Sequence, residues 1–317
     1  MSLNKGISDT KYMKNKEKKS VKPPCLMQGD TVGIVAPAGL FNPKKFMRGK
    51  AVLEAMGFRT FYDKGIFQKH GFFAGTDVQR ADQVNRLFAD PAIRAVVCAR
   101  GGYGSVRILR FLDFETIKKN PKIFVGFSDI SVLLSVLNTR CGLVTFHGPV
   151  VTTLASAVEE TIAAMMTALK SNKALELIPK KGIIIKSGVS SGIVTGGNLT
   201  TLCHLVGTPY VPRFNGKILI IEDVGEVPYR IDRMLTQMKL AGCFEGIKGL
   251  VLGSFEECGQ LHEILPIVQE IFRDFNIPIL AGFEIGHSKI NITIPIGLAA
   301  NLDTDRQILA FHEAATV

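Results

Sequence analysis

Between residues 31 and 147 short apolar, β-branched runs alternate with helical stretches, and no other feature narrows the possible folds as much. The runs at 31–37, 58–62, 93–99, 122–127 and 143–147 read as buried strands, and 43–56, 76–88, 106–112 and 129–139 as the helices between them. Gly57 stops the helix that opens at Pro43, and Thr76 with Gln79 three positions on is a capping-box pattern. Such alternation argues for a parallel sheet with helices on both faces, in which ligands bind outside the carboxyl ends of the strands. Beyond a helix at about 155–169, strands are expected at 192–195, 217–221, 249–253, 277–281 and 307–311, with a half-exposed strand at 290–296 and helices at 198–206 and 228–240. The expected class is therefore α/β: an N-terminal parallel-sheet domain, Rossmann- or flavodoxin-like, and a smaller β-rich α/β C-terminal domain. The boundaries predicted are a disordered basic leader at 1–24, the first domain at 25–150, a connector at 151–190 and the second domain at 191–317.

Composition removes several function classes. With 46% hydrophobic and 21% charged residues, and no apolar run near the roughly 18 residues of a membrane-spanning helix, the chain reads as globular, with no membrane partner. Residues 1–22 hold seven lysines against Asp9 and Glu17, a net +5 of the formal +10, and have no apolar segment that would make them a secretory signal. The remaining positive charge suits an acidic substrate or an ordinary basic surface. Without Trp, zinc spacing or a basic stripe interleaved with aromatics, nucleic acid is not an expected partner. The six scattered cysteines fit buried free thiols of a reducing compartment better than a disulfide framework, and the chain has neither Cys-x-x-Cys nor His-Glu-x-x-His to suggest a metal.

The residues able to do chemistry gather at strand ends. The run ending at Phe127 breaks at Ser128 into a helix, so Ser128 sits at a strand-to-helix corner with helix-opening amides beside it. Two readings stand open: a nucleophile elbow, with Gly126 on one side but Ile130 where a small residue is usual, or a plain N-cap. A serine nucleophile requires a base and an acceptor that orients it. Of six histidines, His70, His204, His262 and His312 read as surface or core. His147 closes a strand, and His287 occupies a Gly-His-Ser loop between strand-like segments, the better placement for a base. Glu222 ends the strand at 217–221, with Asp223, Glu226 and Asp232 as rivals, and an ion pair of Glu222 with Arg230 or Arg233 is the bland alternative. The run Arg100-Gly101-Gly102-Tyr103-Gly104-Ser105 admits a phosphate loop, an oxyanion site built on Gly102 with the Asp129 amide, or a tight turn. Tyr103 replaces the aspartate that a Gly-Gly-Asp-Gly phosphate loop needs.

Taken together, Ala99-Arg100-Gly101-Gly102-Tyr103-Gly104, Gly126-Phe127-Ser128-Asp129, Gly196-Gly197-Asn198-Leu199, Ile221-Glu222-Asp223-Val224-Gly225-Glu226 with Tyr229-Arg230-Ile231-Asp232-Arg233, and Gly286-His287 with Pro295 and Gly297 resemble the LD-carboxypeptidase family, serine peptidases also called murein tetrapeptide carboxypeptidases. Phe72-Phe73-Ala74-Gly75-Thr76-Asp77 adds to the likeness, which runs from about Gly29 to Ile308. The resemblance implies a triad of Ser128, Glu222 and His287, with oxyanion donors at Gly102 and Asp129, assembled across two domains of a cytoplasmic homodimer. It implies no cofactor. The implied substrate is a muropeptide tetrapeptide, cut between the diamino acid and the terminal D-Ala in peptidoglycan recycling. Arg100, Tyr103 and Arg230 are candidate substrate-binding residues, and a guanidinium suits the free carboxylate a carboxypeptidase must hold. The alternatives are a microcin C-like peptidyl-nucleotide amide hydrolase and a non-catalytic muropeptide or nucleotide sensor.

Overall fold

The computed structural model describes residues 20–317. The first five strands alternate with helices: β1 (Thr31–Val35), β2 (Arg59–Phe61), β3 (Ile93–Cys98), β4 (Ile123–Gly126) and β5 (Thr145–His147). They are mutually parallel in the order 2-1-3-4-5, the flavodoxin-like arrangement, whose direction reverses between β1 and β3. The predicted capping box is formed, with Thr76 Oγ1 accepting from the Gln79 amide while Gln79 Oε1 accepts from the Thr76 amide.

The remaining strands are β6 (Glu176–Leu177), β7 (Ile183–Lys186), β8 (Val189–Asn198), β9 (Lys217–Val224), β10 (Gly249–Glu256), β11 (Ile279–Ala281), β12 (Ile294–Ile296), β13 (Ala299–Asp303) and β14 (Ile308–Phe311). All but β12 form a second, mixed sheet in the order 6-14-13-8-9-10-11-7, whose centre, β8 to β11, is parallel. The stretch 151–190 carries the helices Val151–Leu154 and Glu159–Lys170 and then lends β6 and β7 to the two edges of this sheet. Strand β12 crosses back and pairs antiparallel with β5. It therefore covers the edge of the first sheet, and Ile294 and Ile296 are buried where a half-exposed strand was expected.

One core lies between the sheets. Ile34, Val97, Val125 and Phe146 of the first pack in the same cluster as Ile218, Ile220, Val251 and Leu280 of the second. The outer face of each sheet is covered in turn, by clusters containing Val35, Val96 and Phe124 on one side and Leu219, Ile221 and Leu250 on the other. Strands buried on both faces need no polar alternation, which is why they read as continuous apolar runs. The chain is tied in from Ser20 onward: Ser20 Oγ donates to Gly297 O (2.6 Å), Val21 bridges to Leu143, and Val317 N donates to Pro23 O (3.1 Å). Residues 20–24 thus belong to the folded body and not to a leader; the rest of the expected leader, 1–19, lies outside the described residues. Among the described residues no disulfide joins any of the six cysteines. No helix among the described residues is long and apolar enough to cross a membrane.

Candidate active site

The carboxyl ends of β1, β3, β4 and β5 meet those of β9 and β11 around a cavity of about 640 Å³, lined by Lys45, Arg100, Gly102, Ser128, Thr153 and His287 among others. Each of these residues follows a strand. Strand β4 ends at Gly126, and a 3₁₀ turn at Ser128–Ile130 leads into the helix Ser131–Cys141. Ser128 has a φ of 62°, one of three non-glycine residues in the left-handed region among those described. That conformation costs about 1–2 kcal/mol for a residue with a Cβ, and such strain gathers where a side chain must project from a tight corner. The sequence pattern departed from an elbow at Ile130, and the structure shows what compensates: a Cβ on Gly126 would lie 2.5 Å from the Ile130 side chain. One of those two positions has to be bare, and here it is Gly126.

The glycine-rich loop closes over the serine. A Cβ on Gly101 would lie 2.8 Å from Ser128 Cβ, so a larger residue would collide with the nucleophile candidate itself. Gly101 O accepts from Gly39 N (3.1 Å), which fastens the loop after β3 to the turn after β1. From the helix side, Asp129 Oδ2 accepts from Ser105 N (2.7 Å). Burial raises the Asp129 carboxyl above its ordinary value, against the lowering by its bonds to Ser105. Gly102, at φ 96°, reaches the cavity, and the Asp129 amide belongs to the 3₁₀ turn that opens the helix.

Across the cavity, His287 Nδ1 lies 2.6 Å from Glu222 Oε2. Glu222 is wholly buried and His287 mostly so, with 17% of its side chain exposed. Burial opposes ionisation of Glu222, but interactions with His147 and His287 overcome it and hold the carboxyl down at about 2. His147 Nε2 stands 3.8 Å from Glu222 Oε1, beyond hydrogen-bond reach, so the 2.6 Å contact to His287 is the one that dominates physically. In His287 burial works against the proton and Glu222 for it, and the balance lies above the ordinary histidine value. With Nδ1 engaged by Glu222, Nε2 is the nitrogen left for the serine side. The ring packs against Phe127 (centroids 4.7 Å apart), and Ser254 Oγ accepts from the His287 amide (3.0 Å), fixing the loop that carries it.

The neighbouring acid has a different task. Glu222 shares a face of β9 with Ile218 and Ile220, toward the core between the sheets, whereas Asp223 points the other way. There Asp223 accepts from Asn198 Nδ2 (2.9 Å), the Thr200 amide and hydroxyl (2.8 Å each) and the Val224 amide (2.9 Å). Glu226 pairs with Arg230 (3.5 Å) on the exposed side of the helix Pro228–Leu240, and Asp232 accepts from Thr236. Glu222 makes no pair with Arg230 or Arg233; the latter lies over the Tyr229 ring instead.

Among the candidate substrate contacts, Arg100 lines the cavity and donates to Leu40 O. Tyr103 packs on Phe73 (5.5 Å) with half its surface exposed, and neither it nor Arg230 is among the residues lining the cavity. Lys45 and Thr153 on the cavity wall, and Ser254 under the His287 loop, were missed by sequence reasoning, because nothing local distinguishes them and only the folded chain brings them here.

The chain matches the family models described as the LD-carboxypeptidase N-terminal domain over residues 32–148 and the LD-carboxypeptidase C-terminal domain over residues 191–302. It is 36% identical to the probable murein peptide carboxypeptidase of Bacillus subtilis, covering 89% of this chain and 92% of that protein. It is 32% identical to the murein tetrapeptide carboxypeptidase of Pseudomonas aeruginosa, covering 87% and 94%. Among solved structures, MccF in complex with glutamyl sulfamoyl guanosine superposes with a TM-score of 0.86 at 26% identity, over 93% of this chain and 99% of that one. With both halves matched in order and a relative of this identity aligned nearly end to end, the chain belongs to the LD-carboxypeptidase family and is a serine carboxypeptidase.

Proposed function

We propose that the chain hydrolyses the bond between the diamino acid and the terminal D-Ala of muropeptide tetrapeptides, as a cytoplasmic, cofactor-independent enzyme of peptidoglycan recycling that works as a homodimer. The observation carrying this reading is that a serine held at φ 62° shares the wall of one cavity with His287, whose Nδ1 lies 2.6 Å from the buried Glu222 behind it. The cavity's charge agrees with the substrate: its lining includes Lys45 and Arg100 and, among the described residues, no carboxylate, which suits a peptide carrying several free carboxylates.

In this reading His287 Nε2 takes the Ser128 proton as Oγ attacks the scissile carbonyl, and Glu222 keeps the other ring proton on Nδ1 and stabilises the imidazolium. The amides of Gly102 and Asp129 receive the developing oxyanion. His287 then returns its proton to the departing D-Ala amine as the C–N bond breaks. Water, deprotonated by the same imidazole, releases the acyl group from Ser128. Because His287 protonates the leaving amine, D-Ala lies on its side of the serine, where an adjoining cavity of about 300 Å³ is walled by His287, Thr161 and Lys289. Arg100 is assigned to substrate carboxylates, with Tyr103 and Arg230 at the rim.

The test is D-Ala release from an L-Ala–D-Glu–diaminopimelate–D-Ala tetrapeptide by wild type and by Ser128→Ala. Release by wild type alone supports the reading, and release by neither from folded protein sinks it. A second reading is favoured by the fold likeness to MccF, whose solved complex holds an aminoacyl sulfamoyl nucleoside: hydrolysis of a peptidyl-nucleotide amide. Offering an aminoacyl sulfamoyl adenosine in the same assay separates the two.

A further inference from the structure

We propose that His147 is a positioning residue for the reaction: as the site closes on substrate its Nε2–H takes hold of Glu222 Oε1 and so fixes the orienting carboxylate from the sheet that carries the serine. The inference rests on the triad reading above and concerns a residue outside it. His147 ends β5 in the first sheet, Glu222 lies on β9 in the second, and both side chains are completely buried. Glu222 Oε2 is satisfied by His287, but Oε1 has no hydrogen-bond partner, and neither ring nitrogen of His147 has one. A buried polar atom without a partner costs about 1–3 kcal/mol, more for a charged one, so pairing this acceptor with the ring nitrogen 3.8 Å away removes two such penalties. Closing that gap to ordinary hydrogen-bond length takes a movement of roughly 1 Å. Contacts of this kind tighten when substrate draws the two halves of a site together.

The imidazole is held for this purpose. The Phe127 ring, next in sequence to Ser128, meets it edge-on with centroids 6.0 Å apart. On the β8 side the backbone comes close because Gly197 is bare; a Cβ there would lie 3.3 Å from His147 Cδ2. A ring nitrogen carrying a proton is a donor, and Nε2 is the one that faces the carboxylate. Complete burial is also why His147 is not the base: it is absent from the cavity wall where Ser128 and His287 stand. Held at Oε1, the Glu222 carboxylate cannot turn away from His287 Nδ1. The acidic groups acting on His287 are Glu222 and Asp223 from β9 and Glu256 from the end of β10, of which Glu222 alone touches it.

The test compares His147→Phe and His147→Gln in the full chain by D-Ala release. The Phe variant, which keeps the ring volume and loses the donor, should lower kcat roughly 10- to 100-fold, by analogy with the loss of groups that orient metal-ligating histidines, with KM little changed. The acid limb of its kcat/KM profile should move to lower pH, because a loosened Glu222 stabilises the His287 imidazolium less. Gln, which still donates, should recover most of the loss. A folded Phe variant with wild-type kcat and profile overturns the inference, as does equal damage by Gln and Phe with an unmoved acid limb. If the Phe variant does not fold, side-chain ¹⁵N spectra of the wild type decide: a proton on His147 Nε2 is expected, and one on Nδ1 overturns it. Full dependence on Ser128 with none on His147 breaks this inference alone, whereas activity surviving Ser128→Ala breaks the triad reading itself.

Discussion

The two sides of the site are built by different means. The serine corner is made within a few consecutive residues, where the turn, the bare Gly126 and the left-handed backbone of Ser128 fix the hydroxyl by local geometry. The base side is made of residues 65 positions apart, on a strand and a loop of the other sheet, held by burial and a charge-assisted bond of 2.6 Å. A site made this way gets its precision from backbone strain on one side and from electrostatics in a dry core on the other. Disturbing each side should therefore produce a different symptom.

The largest effect expected is on the serine side: Ser128→Ala should lower turnover by roughly 10³ or more while the melting temperature stays near that of the wild type. A variant keeping above about a tenth of wild-type activity would remove Ser128 from the mechanism.

On the base side, Glu222→Gln should lower kcat by roughly 10²- to 10⁴-fold and also change the pH profile, which Ser128→Ala cannot report. With Glu222 holding the His287 imidazolium above the ordinary histidine value, the wild-type acid limb should lie above 6.5. Without the carboxylate, burial is opposed only by the more distant charges of Asp223 and Glu256, and the limb should move to lower pH. Stability carries the opposite signature. Glu222, depressed from 4.5 to about 2, contributes fully above pH 4.5 and loses its contribution as pH falls through about 2. His287, raised, contributes fully below 6.5 and loses its contribution as pH rises through its folded value. The stability gap between wild type and Glu222→Gln should thus narrow toward pH 2, and a gap independent of pH would show that the pair is not ionic.

This difference in construction also explains what could be read from the sequence. The Ser128 corner, the Thr76–Gln79 capping box and the helix from Pro228 to Leu240 are encoded by neighbouring residues and were legible directly. The choice of Glu222 over Asp223 was not. Strand β9 is apolar on both faces, so the two-residue alternation that would tell which acid faces the shared core is absent. Only the family resemblance favoured Glu222. Strands β6, β7 and β12 were misread or missed because two to four residues carry too little pattern, and their pairing partners lie far away in sequence. The proximity of His147 to Glu222 has no sequence signal at all, since it arises from packing one sheet on the other.

Two glycines sharpen the comparison at intermediate scale. Gly286 stands at φ 114°, and a Cβ there would lie 2.3 Å from Glu222 Oε2. Gly286→Ala should cost about 2–4 kcal/mol, from backbone strain and from a displaced buried charge, and should move the acid limb as Glu222→Gln does. Gly101 has no such backbone demand, and its Cβ would press on Ser128 Cβ at 2.8 Å and Oγ at 3.1 Å. Gly101→Ala should therefore reduce kcat with a smaller loss of stability and an unmoved pH profile. Urea unfolding and pH–rate curves for the two variants check this, and matching profiles would mean that the two sides are not independent.

The smallest expected effect tests whether the corner stores strain. Neither Ser128→Gly nor Ser128→Ala keeps the hydroxyl that the proposed mechanism uses, so activity is not expected to separate them, but their stabilities can. At φ 62° an alanine keeps the left-handed penalty of about 1–2 kcal/mol, while glycine is free of it and gives back about 0.4–1 kcal/mol through the greater freedom of its unfolded chain. Ser128→Gly should come out more stable than Ser128→Ala by about 0.5–1 kcal/mol, a shift in urea midpoint measurable with an unchanged m-value. If the alanine variant is the more stable, the backbone at this corner is not strained, and the hydroxyl is held by its surroundings on Gly101 and Phe127, as the base is held by its own.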